Sequence, residues 1–163
     1  MDSSFDGALA QADGAYDAQD YRRALSLYLR LAMQGCIKAQ RQTAIMLDFG
    51  EGCRANPEAA VGWHRMAAEQ GDAESQSYLA TSLATGDGVR RDLAEAARWF
   101  RRAAQQGNCS AQIRLGKMYE HGEGVPRDWR RAVHWYRLAA LQDWSEPKGL
   151  LLSLLGRMAM AAE

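Results

Sequence analysis

Apolar and small residues recur along this chain at helical intervals, and the whole pattern returns every 36 residues. Gly35, Gly71 and Gly107 form one column, and Trp63, Trp99 and Trp135 form another. Gly50/Gly52, Gly86/Gly88 and Gly122/Gly124 recur at the same interval, as do Asn56, Asp92 and Asp128. Ala60, Ala96 and Ala132 follow, then Ala67-Ala68, Ala103-Ala104 and Ala139-Ala140. Within one copy the pattern predicts a first helix, A, over 73–85. Gly86 ends it, because glycine accepts the left-handed conformation that closes a helix. Gly88 allows a second tight bend, and Val89 is placed to plug the loop against the core. Asp92 caps a second helix, B, by accepting from its first free N–H groups. Asn56 with Pro57 makes the same start one copy earlier. Ala96, Trp99 and Ala103 then share one face of helix B, which predicts that all three are buried. Gly107 closes helix B and Asn108 caps the next helix A.

One helix pair cannot bury both of its apolar edges, whereas stacked pairs can. The pattern therefore predicts an all-α, right-handed solenoid of antiparallel helix pairs. Each indole carries ~150–250 Å² of burial, so the Trp column is expected to be the main anchor. Composition supports the helical reading. With four Val, three Ile and three Thr against abundant Ala and Leu, residues that favour strands are scarce. The 163 residues suit one domain, and 47% hydrophobic with 25% charged residues excludes a long disordered chain.

The fourth copy reads Ala111-Gln-Ile-Arg-Leu115-Gly116-Lys-Met-Tyr119-Glu-His-Gly122-Glu-Gly124-Val125-Pro-Arg-Asp128, then Ala132, Trp135-Tyr136 and Ala139-Ala140. This resembles the Sel-one-like repeat family, a relative of the tetratricopeptide repeat, over about residues 36–143. The repeats fall at 36–71, 72–107 and 108–143. Residues 5–35 lack the G-x-G-V loop and are closer to a plain tetratricopeptide pair. Asp143 and Trp144 stand where a closing Gly and a cap belong, and 144–163 is expected to hold a lone terminal helix. The resemblance implies a protein-interaction scaffold, often an adaptor. Cysteine-rich, disulfide-bridged members that act on β-lactams do not match a chain with three cysteines.

Charge and candidate chemistry narrow the function. Lys and Arg total 20 against 20 Asp and Glu, so the whole chain has no electrostatic bias. No basic-apolar leader and no apolar run of spanning length occurs, and an odd cysteine number makes no disulfide framework, so a cytoplasmic location is expected. His64 shares a column with Phe100 and Tyr136 and is expected to be a partly buried packing residue. His121 ends a helix A, and His134 falls on an outer face. No His or Cys pair has metal-ligand spacing, so neither metal nor cofactor is expected. Cys36, Cys53 and Cys109 read as incidental. The G-x-G loops lack a following Gly-Lys-Ser/Thr and carry acids that repel phosphate, so they read as repeat turns. Asp48 and Glu120 could both face the groove, but no nucleophile accompanies them, and hydrolase chemistry stays a remote alternative. Arg98, Arg101, Arg102, Arg130, Arg131 and Arg137 make a basic strip on helix B. Without interleaved exposed aromatics it reads as a solvated face rather than a nucleic-acid site.

In related repeats, helix A lines the concave face. The expected groove is Lys38, Arg41, Ile45, Asp48 and Phe49 in the second repeat. Glu74, Ser77, Thr81, Ala84 and Thr85 follow in the third, then Ser110, Ile113, Lys117, Glu120 and His121 in the fourth. A shallow groove of this kind suits a peptide or protein segment. On the terminal helix, Leu151 and Leu155 are expected to pack back, which leaves Leu150, Leu154 and Met158 as an apolar face for a homodimer or a docked partner.

Overall fold

The computed structural model describes residues 5–142 and 145–160. Among these are nine helices and no strand: α1 (Asp6–Asp17), α2 (Tyr21–Met33), α3 (Ile37–Phe49), α4 (Pro57–Glu69), α5 (Ala73–Thr85), α6 (Leu93–Gln105), α7 (Cys109–His121), α8 (Trp129–Ala140) and α9 (Ser145–Met160). Each helix packs chiefly on its neighbours in sequence. The result is a superhelical stack in which odd helices form one layer and even helices the other, as expected of a solenoid. The irregularity expected at Asp143 and Trp144 lies outside the described residues.

Local chemistry sets each helix end. Asp92 accepts from the Glu95 amide at 2.8 Å, Asn56 from Ala59 at 3.0 Å and Asn108 from Ala111 at 2.9 Å. Cys36, which stands before α3 where Asp72 and Asn108 stand before α5 and α7, gives no side-chain cap. Gly50, Gly86 and Gly122 close α3, α5 and α7 with φ of 72°, 86° and 76°. The second glycine of each loop does more than bend. A Cβ on Gly52, Gly88 or Gly124 would collide with the carbonyl of Tyr21, Pro57 or Leu93. These are the first residues of α2, α4 and α6, so each loop rests directly on the preceding even helix.

The buried ring column lies one residue beyond the tryptophans. Tyr28, His64, Phe100 and Tyr136 are all buried, whereas Trp99 alone of the repeating indoles is, and Trp63 and Trp135 are only partly covered. The expectation of an indole anchor is corrected accordingly: the neighbouring position points between the two layers, and the indole covers its edge. His64 is fully rather than partly buried. Small residues oppose this column. A Cβ on Gly116 would lie 2.5 Å from the Tyr136 ring, so the glycine of α7 admits the larger phenol.

A glutamine ladder ties successive repeats. Gln40, Gln76 and Gln112 are buried, and their Nε2 groups donate to the carbonyls of Ala32, Ala68 and Ala104 at 3.2, 3.0 and 3.1 Å. Their Oε1 atoms accept from Gln70, Gln106 and Gln142 at 2.7, 2.8 and 3.0 Å. Each rung adds a side-chain donor to a helix-end carbonyl that also accepts from the amide of Gly35, Gly71 or Gly107, at 3.0, 3.1 and 3.1 Å.

The terminal helix is rotated from its expected setting. Leu154 is fully buried in the main core, with Leu150, Leu151 and Met158 packed against it, while Leu152 and Leu155 are exposed. Leu150, Leu154 and Met158 thus do not form an outer face. They take the inward stripe because α9 docks on α8 as a fifth A helix.

Candidate binding face

The odd helices α3, α5 and α7 carry all of the expected groove residues, in three different states. Lys38, Phe49, Glu74, Thr85, Ser110 and His121 are exposed, Phe49 to 71%. Arg41, Ile45, Asp48, Ser77, Thr81, Ala84 and Lys117 are half-buried. Ile113 and Glu120 are buried and do not line an open surface. Ile113 joins Cys109, Ala139 and Leu150 under α9. Glu120 accepts from the Tyr136 hydroxyl at 2.6 Å and is paired with Arg157 of α9.

Arg41 is a strut. Its guanidinium spans from α3 to the start of α5, 2.7 Å from the Asp72 carboxylate and 3.0 Å from Glu74. Asp48 lies 3.5 Å from Nε2 of His64, whose ring stacks on Tyr78 with centroids 4.8 Å apart and planes at 10°. Asp48 and Glu120 therefore meet different rings of the column and do not form one acidic pair. Burial pushes the Glu120 carboxyl up, but the bonds from Tyr136 and Arg157 outweigh it and hold Glu120 below the usual carboxylate range. Glu95, on the even layer, is also held low, chiefly by the Arg65 guanidinium at 2.9 Å, against burial and with help from the Trp99 N–H at 3.1 Å.

Two clefts open between odd helices. One, of about 260 Å³, lies between α1 and α3 over Tyr28 and is lined by Asp6, Asp13, Lys38 and Arg41. The other, of about 190 Å³, lies between α5 and α7 over Phe100 and is lined by Thr81, Thr85, Arg114, Lys117 and His121. The lining residues Gln42 and Arg114, and the stacking Tyr78, escaped the sequence reading. They form one 36-residue column with Leu150, one helical turn after Lys38, Glu74 and Ser110. That column mixes four side-chain types, so it lacks the chemical uniformity that marks the glycines and alanines.

The basic strip is partly engaged. Arg101 donates to the Tyr119 hydroxyl at 2.7 Å, Arg102 covers the Trp99 ring at 4.5 Å, and Arg131 reaches Asp128 at 3.2 Å. Cys36 and Cys109 are buried and Cys53 is exposed, and the Cys109 thiol donates to the Ala139 carbonyl at 3.8 Å. Among the described residues no cluster of three or more His, Cys, Asp or Glu could hold a metal ion, and no helix is long and apolar enough to cross a membrane.

Comparison with known proteins places this architecture. The Sel1 repeat model matches four times, at residues 7–36, 37–72, 73–108 and 109–144. The first match falls on the pair that lacks the G-x-G-V loop. The fold is similar to that of a protective antigen of uropathogenic Escherichia coli described as displaying an SLR fold, with 31% identity and a TM-score of 0.88 over 90% of this chain and 32% of that one. It is similar to a Sel1 repeat protein from Oxalobacter formigenes, with 30% identity and a TM-score of 0.82 over 87% of this chain and 58% of that one. The chain thus spans about a third and somewhat over half of the length of these two proteins. Cysteine rich protein B of Helicobacter pylori shares the fold at 18% identity and a TM-score of 0.65, over 80% of this chain and 96% of that one. The comparison with curated proteins found no match. Sel1 repeats generally serve as protein-interaction scaffolds rather than as catalytic folds. With four matched repeats over most of its length, this chain belongs to the Sel1 repeat family.

Proposed function

We propose that this chain is an adaptor that binds a segment of a protein partner across its odd-helix face. The observation that carries the reading is that the odd helices hold both two unfilled clefts and two exposed rings, Phe49 at 71% and Tyr78 at 42% exposure. Exposed aromatic rings set among charged side chains favour an interface. The rigid stack fixes their spacing beforehand, so a partner segment loses entropy but the receptor loses little.

The test is cross-linking capture from the native cell, with wild type against Lys38→Glu plus Phe49→Ser. Both residues are exposed, so the fold should survive the change. Arg41 is unsuitable because it braces α3 against α5. Partners captured by wild type and lost by the double variant support the reading. Partners retained by it and lost instead with Arg98→Glu plus Arg137→Glu on the even layer overturn it.

A second reading, self-association through α9, is favoured by the exposure of Leu152 (71%) and Leu155 (44%). Light scattering of wild type against Leu152→Glu plus Leu155→Glu tests it. A wild-type monomer at tens of micromolar would sink it.

A further inference from the structure

Four equivalent positions lie along the odd-helix layer, one at each ring of the buried column. The structure fills two of them itself. Over His64, Asp48 approaches the imidazole at 3.5 Å and Tyr78 stacks on the ring at 4.8 Å. Over Tyr136, Glu120 accepts the phenol at 2.6 Å and Arg157 from α9 closes on Glu120. In the other two, the place of Asp48 and Glu120 is taken by Ala12 and Ala84, and the volume stays open.

The two open clefts differ in charge. Over Tyr28, Asp6 and Asp13 oppose Lys38 and Arg41, and the phenol already donates to Asp13 at 2.5 Å. Over Phe100 the ring has no polar atom to satisfy, and Ala84, Leu93 and Met118 join it in an apolar lining. The cationic side chains Arg114 and Lys117 stand on the α7 side, with Glu123 as the one acid among the lining residues. Arg91 sits at the end of α5, its Nε donating to the Ala84 carbonyl at 2.9 Å. At about 190 Å³ the space exceeds the apolar cavity of about 150 Å³ that holds a benzene molecule.

We propose that the cleft between α5 and α7 receives one apolar side chain of an acidic, extended partner segment, whose flanking carboxylates meet Arg91 and Arg114. This rests on the odd-helix face being the binding surface and adds the chemistry of its occupant. The molecule's own fillings set the pattern: a ring or stem over the column residue, with a carboxylate at its edge. Charge of opposite sign steers the segment and fixes its register, and the apolar lining supplies the burial.

The probe is a blocked, fluorescein-labelled octapeptide of alternating Glu and Leu, with Gln–Leu and Lys–Leu counterparts, read by anisotropy and by amide NMR shifts. Expected is binding of the Glu–Leu peptide at least about tenfold tighter than either counterpart, with shifts centred on Thr81, Thr85 and His121. Ala84→Leu, which fills the cleft without changing charge, and Arg114→Gln, at an exposed position, should each weaken it about tenfold or more. Unchanged melting curves would show that both variants are folded. Equal binding of all three peptides, or indifference to both variants, overturns the proposal. Shifts centred instead on Lys38 and Phe49 overturn it while leaving the odd-face reading intact. Shifts on the even layer, or no peptide bound at about 1 mM, overturn both.

Discussion

The third and fourth helix pairs differ from the second at the position that matters most for stacking. Phe100 and Tyr136 anchor a continuous apolar cluster that runs from Val61 through Leu115 to Leu154. The same column places His64 in the second pair, and there polar side chains enter the core beside apolar ones. Thr43 Oγ1, Ser75 Oγ and both His64 nitrogens are buried with no hydrogen-bond partner among the described residues, against Trp129 Nε1 at the start of α8 in the C-terminal block. The apolar core divides at this point, with Leu9 to Met46 and Trp63 forming a separate N-terminal cluster. A buried polar group left unsatisfied costs about 1–3 kcal/mol. The stability of a stacked array is the sum of its units and their interfaces, so the array opens first where one interface is poor. One residue pattern therefore yields a firm C-terminal block and a weaker joint at α3–α5.

The largest test of this contrast is truncation of the firm block. Phe100→Ala should cost ~3–5 kcal/mol, the usual range for a buried ring, read from urea unfolding. Trp63→Ala, on a half-covered indole beside the joint, should cost distinctly less. Equal losses would mean that the indole column carries the stack after all, and that the two halves are held alike.

The next test strikes the contact between loop and helix. Gly88→Ala places a side chain at φ +66°, against the backbone of Pro57. The left-handed conformation costs roughly 1–2 kcal/mol, and forced overpacking adds about 1–3 kcal/mol. Because Gly88 bridges the second and third pairs, hydrogen exchange should rise first in α3 and α4. Gly86→Ala, with its nearest neighbour at 3.4 Å, should suffer only the backbone term.

Uniform columns made the fold readable from sequence. Glycine, alanine and Asp/Asn recur because backbone geometry at those positions tolerates little else, and α5 spans Ala73–Thr85 as the pattern predicts. The indoles misled because bulk and recurrence do not report orientation. Trp99 is buried, yet its neighbour Phe100 faces the gap between the layers and Trp63 and Trp135 do not fill it. The glutamine ladder was visible as Gln40, Gln76 and Gln112 at 36-residue spacing, but polar recurrence reads as solvated until partners are seen. The setting of α9 was not readable, since Leu150, Leu151, Leu152, Leu154 and Leu155 offer leucines to nearly every side of the helix. The binding face is hardest of all, because its column of Gln42, Tyr78, Arg114 and Leu150 varies in each copy.

Acid should loosen the firm block through Glu120. Its carboxyl titrates below the usual range in the folded state, so its bonds to Tyr136 and Arg157 contribute fully above about pH 4.3, the ordinary glutamate value. That contribution is lost as pH falls through the lower folded value. Glu120→Gln should cost about 1.5–3 kcal/mol at neutral pH, the range for a charged hydrogen bond. The variant should also lose less stability than wild type on acidification, with the residual slope set partly by Glu95. Parallel pH profiles would mean that α9 is held by its leucines alone.

The smallest effect is also the most direct repair of the weak joint. His64→Phe copies into the second pair the residue that occupies the same place in the third. It removes two buried nitrogens that make no hydrogen bond among the described residues and keeps a ring for Tyr78 to stack on. Asp48 loses a neighbour at 3.5 Å, but its carboxylate is 27% exposed and can turn to water. The balance should be a gain of about 1 kcal/mol, the lower end of the cost of an unsatisfied polar group. The gain should appear as slower hydrogen exchange in α3 and α4 and little change in α7 and α8. A destabilised variant would show that the imidazole and Asp48 form a working pair at this joint, and that the second repeat is polar because it is held by charge.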